Sequence, residues 1–224
     1  MATLGSLLLA DSRLPTGGHA HSGGVEAAVG RGLLRDQADL ALFLAGRLRG
    51  SGPVLAAVAA AGCLVTVDWG CWDAAVSART PSAAMREASR AQGAALLRTA
   101  RRVWPSAALE TLGRISRPHH PLVLGAVVAA VGDGPDVAAL LALHHLLGGA
   151  CSAAVRLLGL DPIAVAAVQA RAGEPAEQVA RAATSVARQA VTQRDPRLLP
   201  STGTPLPEVL AELHARTEVT LFAS

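Results

Sequence analysis

The stretch "VAALLALHHLLGGACSAAVRLLGL", residues 137–160, is apolar on nearly every side when it is wound into a helix. A helix that is hydrophobic all round belongs in the interior of a fold. His144 and His145 stand at its centre, where a lipid environment would penalise both imidazoles. We therefore predict a buried core helix here, and not a membrane span. The same prediction applies to residues 50–67, which are uncharged and rich in alanine and glycine.

The composition favours helices along the whole chain. Aromatic residues make up only 2% and tyrosine is absent, whereas β-sheets favour aromatic and β-branched side chains. Helix start and stop signals recur, and no segment alternates well enough to predict a strand. The clearest helix follows Thr80 and Pro81 and stops at Pro105. We predict an all-α protein with a single compact domain of about nine to eleven helices.

The C-terminal segment differs in character from the rest. A stretch rich in proline, serine, threonine and glycine is followed by apolar residues at helical spacing, and then by two more beside the terminus. We expect a helical domain over residues 1–200 and a flexible, amphipathic docking tail over residues 201–224. The apolar residues of this tail are Leu206, Val209, Leu210, Leu213, Leu221 and Phe222.

The balance of apolar and charged residues indicates a protein partner. Hydrophobic residues make up 51% of the chain and charged residues 17%, which is more apolar material than an ordinary soluble surface requires. We expect part of this surplus to face another protein. The formal net charge of +3 is too small to indicate nucleic-acid binding, and the chain lacks aromatic platforms for stacking bases.

Residue usage also excludes several classes of protein. All 20 basic residues are arginines, so the chain has neither the lysine of a Walker A loop nor a Schiff-base lysine. Cys63, Cys71 and Cys151 are an odd, sparsely spaced set, typical of reduced thiols. No basic residue precedes the short N-terminal apolar run, so we expect no secretory signal and a cytoplasmic location.

The glycine-rich stretch "DSRLPTGGHAHSGGVE", residues 11–26, contains residue types found in active-site loops. A nucleophilic Ser22 would have only the adjacent His21 as a base, which is poor geometry, and the stretch contains no G-x-S-x-G motif. Asp11 and Glu26 are more simply a turn residue and a charge in the first turn of the next helix. The residues argue against a hydrolase that uses Ser22.

Three histidine pairs are candidates for metal binding: His19 with His21, His119 with His120, and His144 with His145. Imidazole suits nickel, copper and zinc. A complete site needs three or four converging ligands, however, and no cysteine or carboxylate stands at ligand spacing from any pair. We expect hydrogen-bonded structural roles and no cofactor, with His19 and His21 as the remaining metal candidates.

Arg86 and Arg90 lie one turn apart on the helix that follows Pro81. They belong either to a solvated basic face or to a face that binds a partner, and the sequence leaves both interpretations open.

The stretch "LLLADSRLPTGGHAHSGGVE", residues 7–26, resembles the N-terminal hallmark of the urease accessory protein UreF family. Further similarities occur in the expected order at "REASRAQGAALL", "HPLVLGAVVAAVG", "HHLLGGACSAAVRLLGL" and "LHARTEVTLFAS". The resemblance thus covers nearly the whole chain. The hallmark matches at Asp11, Ser12, Leu14, Pro15, Gly17, Gly18, His21, Ser22, Gly24 and Glu26.

The sequence departs from the family pattern in three places. His19 replaces the usual phenylalanine, "GLDP" at residues 159–162 stands where a Pro-Leu-Gly-Gln segment is common, and the closing motif lacks two of the usual basic positions. These departures concern partner contacts more than the fold.

The resemblance implies an all-α protein without catalytic activity of its own. Such proteins dimerise, bind the accessory protein UreD, also called UreH, and together present a platform to the GTPase UreG for GTP-dependent delivery of nickel to apo-urease. We expect Pro15 to Glu26 to form a turn that is held by another chain, near the dimer or GTPase face. We expect residues 206–222 on the UreD-like partner. The alternative is a metallochaperone that binds nickel itself through His19 and His21.

Overall fold

Twelve α-helices follow one another in the part of the chain that the structure describes. This computed structural model describes residues 2–11, 13–15, 21–216 and 221–222. A short 3-10 helix covers Pro196–Leu198, and these residues contain no strand. The helices are α1 (Leu4–Ala10), α2 (Val25–Gly30), α3 (Gln37–Arg49), α4 (Ser51–Leu64), α5 (Trp69–Ala78), α6 (Ala83–Val103), α7 (Ala107–Leu112), α8 (His120–Ala130), α9 (Pro135–Leu158), α10 (Pro162–Arg171), α11 (Gly173–Thr192) and α12 (Pro205–His214).

The prediction of an all-α fold is confirmed. Nine of these helices have ten residues or more, and α1, α2 and α7 are shorter. The three cysteines are free thiols, of which Cys151 is buried, Cys63 is half-buried and Cys71 is exposed.

Helices α4 and α8 cross at the centre of the molecule with their backbones in contact. The alanines from Ala56 to Ala61 in α4 are almost completely buried, as is the run from Leu122 to Val128 in α8. A Cβ added at Gly125 would lie 2.0 Å from the Ala59 carbonyl oxygen. A Cβ added at Gly62 would lie 2.5 Å from the carbonyl oxygen of Leu122. The two helices approach this closely because each places a glycine against the backbone of the other.

Helix α9 packs beside this pair and supplies the third element of the core. It begins with Pro135 at its first position and ends at Gly159, whose φ of +63° closes the helix in the left-handed region. Among the described helices, α9 is the one long and apolar enough to cross a membrane, and 56% of its most apolar window is buried inside the fold. It contacts α4, α8 and α11, as expected for the core helix that its sequence predicts.

Helix α6 begins later than its sequence signal indicates. Its N-cap is Ser82, whose Oγ accepts a hydrogen bond of 3.1 Å from the Met85 N–H. The Thr80 hydroxyl instead donates to the carbonyl of Val76 at 3.0 Å and so belongs to the end of α5. Two hydroxyls within three residues compete for the cap, and tertiary contacts decide between them.

The close crossing of α4 and α8 predicts a large effect of one methyl group. We expect Gly125→Ala to lower the free energy of unfolding by about 3 kcal/mol or more, because the helices must separate to admit the new Cβ. Gly46 in α3 is a matched control, since a Cβ there meets no atom within 4 Å. Gly46→Ala should stabilise the protein by about 0.5–1 kcal/mol. Urea unfolding measures both, and equal stability of the two variants would contradict the crossing.

Candidate docking surface

The end of the opening stretch forms a tight turn into α2. Gly23 and Gly24 have φ values of +60° and +93°, a left-handed conformation that side chains rarely adopt. Ser22 is buried, and its Oγ accepts a hydrogen bond of 3.3 Å from the Glu26 N–H. A hydroxyl held in this way stabilises the turn.

Pro15 and His21 are the other described residues among those expected in this turn. Pro15 is exposed, and its carbonyl accepts a hydrogen bond of 3.0 Å from the Thr99 hydroxyl of α6. His21 is half-buried. Gly17, Gly18 and His19 lie outside the described residues, so the His19–His21 pair stays a prediction.

Arg47 lies beneath the turn and holds it from below. Its guanidinium donates from Nη1 to the Gly23 carbonyl and from Nε to the Ser51 hydroxyl at 3.2 Å. Burial lowers the pKa of Arg47 to about 10, so the side chain remains charged at neutral pH. A buried charge is costly unless it is hydrogen-bonded, and the turn's carbonyl supplies such a bond. The sequence does indicate that Arg47 is buried, because its helical spacing places it on the same apolar stripe of α3 as Leu40, Leu44 and Leu48.

Glu26 ties the end of the chain to the beginning of α2. Its two carboxylate oxygens accept hydrogen bonds from the Leu221 N–H at 2.7 Å and the Phe222 N–H at 3.0 Å. His214 Nε2 lies 3.4 Å from Glu26 Oε2 and 3.1 Å from the Phe222 carbonyl oxygen. We call this set the Glu26 clamp. The segments 15–26 and 206–222, which were predicted to contact different partners, are therefore neighbours at Glu26 and residues 221–222.

Phe222 is also held through its ring. The side chain is buried, and the guanidinium carbon of Arg156 lies 4.5 Å from the ring centroid, within the range of a cation–π contact. Leu221 is 74% exposed. Of the two apolar residues near the terminus, one packs on this chain and the other faces outward.

Helix α12 contacts the rest of the protein through both polar and apolar side chains. The carboxylate of Glu208 accepts from the Ser82 N–H at 2.7 Å, and that of Glu212 accepts from the Ala84 N–H at 2.9 Å. Leu210 is buried against the chain's own interior, as is Pro207. The tail residues predicted to contact a partner therefore divide into two groups. Leu210 packs inward, while Leu206, Val209 and Leu213 are exposed by 50%, 54% and 37%.

An apolar pocket of about 250 Å³ opens between α3 and the start of α12. Phe43, Arg47 and Pro207 are among its lining residues, and the exposed Leu33, Leu42 and Leu206 contribute apolar side chains to it. The Thr204 hydroxyl oxygen in its wall is buried and has no hydrogen-bond partner among the described residues. Contiguous exposed apolar side chains mark interaction sites. We call Leu33, Leu42, Leu206, Val209 and Leu213 the α12 face.

Leu33 and Leu42 were not among the residues predicted to contact a partner. Leu42 lies on α3 between the buried Leu40 and Leu44, and it is off their stripe, which already accounts for the buried face of the helix. Leu33 lies in the turn before α3 beside the buried Leu34, and no helical pattern identifies it.

Arg86 and Arg90 have structural partners. Arg86 Nη1 donates to the carbonyls of Thr80 and Pro81, each at 2.7 Å. Arg90 donates to the buried Asp73 carboxylate at 3.0 Å and to the Arg117 carbonyl at 2.7 Å. Both arginines therefore fasten α6 to the turns around it, a role that neither interpretation of the sequence anticipated.

His119 lies in the same buried polar network, which joins α5, α6 and α8. Its N–H donates to Asp73 Oδ1 at 2.8 Å, and its ring nitrogens lie 2.9 Å from the Ser77 hydroxyl and 3.0 Å from the Ser89 hydroxyl. Burial lowers the pKa of His119 to about 4 despite the nearby Asp73 charge. Burial also lowers the pKa of His120 to about 3, and the nearby His145 and His21 act in the same direction.

His144 and His145 bind the end of α1. His144 Nε2 lies 3.3 Å from the Ala10 carbonyl oxygen, and His145 Nε2 lies 2.8 Å from that of Leu9. The His145 ring centroid is 5.8 Å from that of His120. Within the described ranges, no three His, Cys, Asp or Glu side chains are grouped so that they could hold a metal ion.

Comparisons with known proteins agree on one family. A family model described as UreF matches residues 34–173. The urease accessory protein UreF of Mycolicibacterium vanbaalenii is 45% identical to this chain, and the alignment covers 100% of both proteins. Proteins of the same name from Mycobacterium sp. (strain JLS) and Mycobacterium marinum are 44% and 41% identical, again over the full length of both chains.

The Glu26 clamp predicts that Glu26→Gln frees the end of the chain. An amide oxygen can accept only one of the two N–H groups well, and the loss of the charge weakens the remaining bond. We expect the amides of Leu221 and Phe222 to exchange hydrogen about ten- to a hundredfold faster, measured by mass spectrometry. Glu174→Gln is the control, because Glu174 is also in the first turn of a helix and is exposed. Unchanged exchange in Glu26→Gln would show that the chain end is held by other contacts.

The buried histidines predict lower stability at mildly acidic pH. The unfolded imidazoles take up protons below pH 6.5, whereas the folded ones do so only near pH 4 and 3. The unfolded state therefore binds more protons in this window, and the free energy of unfolding falls as pH decreases. Urea unfolding should show a loss of about 2–3 kcal/mol between about pH 7.5 and 5.5. In His120→Asn the loss should be smaller by about 1 kcal/mol, and an equal loss would contradict the assignment to His120.

Proposed function

Because the chain belongs to the UreF family of urease accessory proteins, we propose that it is a non-catalytic scaffold for urease maturation. In this role it binds a UreD- or UreH-like protein and the GTPase UreG, and the assembly inserts nickel into apo-urease in a GTP-dependent step. Nickel is cargo in this proposal, and the scaffold requires no cofactor of its own. The observation that carries the proposal is the exposed α12 face.

The α12 face has the properties of a site for a permanent protein partner. Its leucines and valine are exposed by between 37% and 74%, although the chain has buried leucines throughout its core. Covering one such side chain contributes about 1.5–3 kcal/mol, so a few of them dominate the affinity of an interface. The pocket between α3 and α12 can accept an apolar side chain of the partner. We assign this face to the UreD-like protein.

The segment of residues 15–26 is the proposed contact for UreG or for a second copy of the chain in a homodimer. Two features support this assignment. Pro15 is exposed, and the positive φ values of Gly23 and Gly24 create a turn whose backbone another chain can approach closely. The Glu26 clamp joins this segment to residues 221–222 of the tail. A partner bound at either segment therefore lies close to the hydrogen bonds that hold the other segment in place. The assembly acts in the cytoplasm in this proposal.

Charged substitutions on the α12 face test the scaffold. We expect Leu206→Asp with Val209→Asp to weaken binding of the UreD-like protein at least about tenfold, because both side chains are exposed and their loss leaves the core intact. The measurement is co-purification with the UreD-like protein and UreG, followed by size-exclusion chromatography with light scattering. Ile163→Asp is the matched control, since Ile163 is 80% exposed and lies on α10.

Two outcomes would count against the proposal. A double variant that still forms the full complex would remove the α12 face as the docking site. A folded wild-type chain that binds neither protein would overturn the scaffold itself. Point variants are sharper than removal of residues 202–224, because that truncation would also expose the surface covered by Leu210 and Phe222.

A further inference from the structure

An open groove of about 450 Å³ lies between α6, α7 and the turn before α8. Arg98, Arg101 and Arg102 line it from α6, and Arg117 lines it from the turn. We propose that this arginine groove binds an acidic, leucine-bearing segment of a partner protein. The inference does not depend on the proposed scaffold, because the groove shares no residue with the α12 face or the opening turn.

The groove concentrates the positive charge of the molecule. Its lining contains four arginines and one acidic residue, Glu110, and Glu87 pairs with Arg117 from outside the lining, which leaves a net charge of +2. The formal net charge of the entire chain is +3. The remainder of the protein is therefore close to neutral, and the groove is where an acidic ligand is attracted.

Two of the four arginines lack a carboxylate partner among the residues that the structure describes. Arg101 pairs with Glu110, and Arg117 pairs with Glu87. Neither Arg98 nor Arg102 lies within salt-bridge distance of a carboxylate in the described part of the chain, and both are exposed. They stand one helical turn apart, where like charges destabilise a helix. The C-terminal end of the helix dipole favours Arg101 and Arg102, but it does not account for Arg117 on a separate element.

Arg117 is held in position by its backbone. Its φ of +55° places it in the left-handed region, which is uncommon for a residue other than glycine. The carbonyl of Arg117 accepts a hydrogen bond of 2.7 Å from Arg90, which is itself anchored on the buried Asp73. The backbone of the residue that lines the groove from this side is therefore fixed.

The floor of the groove favours a peptide over a free phosphate. Leu97 and Ile115 line it together with small apolar groups, and Leu97 is almost completely buried. A phosphate would leave the exposed part of the half-buried Ile115 in contact with water, whereas a leucine side chain of a peptide would cover it. Planar guanidinium groups pair with carboxylates through two parallel hydrogen bonds. A segment with both acidic and leucine side chains can pair with the arginines of the rim and also cover the apolar floor.

Fluorescence anisotropy with a labelled peptide, Glu-Leu-Glu-Glu-Leu-Glu, tests the proposal on the full chain. We expect R98E/R102E to weaken binding at least about tenfold, with a melting temperature within about 4 °C of the wild type. R171E/R181E is the matched control, because it makes the same change in net charge at exposed arginines that do not line the groove. This control should change the affinity by less than about twofold. Added salt should weaken binding to the wild type.

Three results would overturn the proposal. The first is equal affinity of R98E/R102E and the wild type for the peptide. The second is equal affinity for a peptide in which serine replaces both leucines, since the apolar floor would then have no role. The third is displacement of the peptide by pyrophosphate but not by sodium chloride at the same ionic strength, which would make the groove a phosphate site.

Discussion

The backbone contact between α4 and α8 is the constraint on which the other helices depend. Gly62 and Gly125 allow the two helices to touch, and α4 also packs against α9 and α11. Such packing buries many small side chains instead of a few large ones, and it leaves little room for a cavity in the centre. Buried leucines such as Leu122, Leu124 and Leu143 fill the space around this contact, and the leucines of the α12 face remain outside it.

Polar groups connect the two ends of the chain across this core. Arg47 holds the opening turn from below through the Gly23 carbonyl, and Glu26 holds the chain end through two N–H groups. Both contacts place a charge where little water reaches it, and each charge is satisfied by backbone dipoles, with His214 beside the Glu26 carboxylate. The turn, the chain end and the exposed side of α12 therefore form one continuous region. A partner that covers part of this region therefore lies close to the hydrogen bonds of Arg47 and Glu26 that hold the rest of it in place.

Much of the fold could be predicted from the sequence, and less of the candidate surface. The apolar run of residues 137–160 is the core helix that its pattern indicates, and the amphipathic pattern of residues 206–213 is a helix. Leu210 was grouped with Leu206 and Val209, but its side chain faces inward, because α12 packs on α2 and α6. Arg86 and Arg90 were assigned to a surface, whereas the carbonyls and the carboxylate they contact come from neighbouring elements. Periodicity identifies a stripe on a helix, but it does not identify which helix the stripe will meet.

The sequence by itself determined the helical class, the buried stretches, the absence of a lysine-based site and the family resemblance. These properties depend on residue composition and on patterns within about twenty neighbouring residues, which one helix can satisfy alone. The tertiary structure decided which leucines remain exposed, where the unpaired arginines converge, and how the two ends of the chain meet. Glu26 and Phe222 are separated by 196 residues, yet their hydrogen bond is 3.0 Å long. A contact of that kind depends on the packing of all the helices between its partners, and no local pattern encodes it.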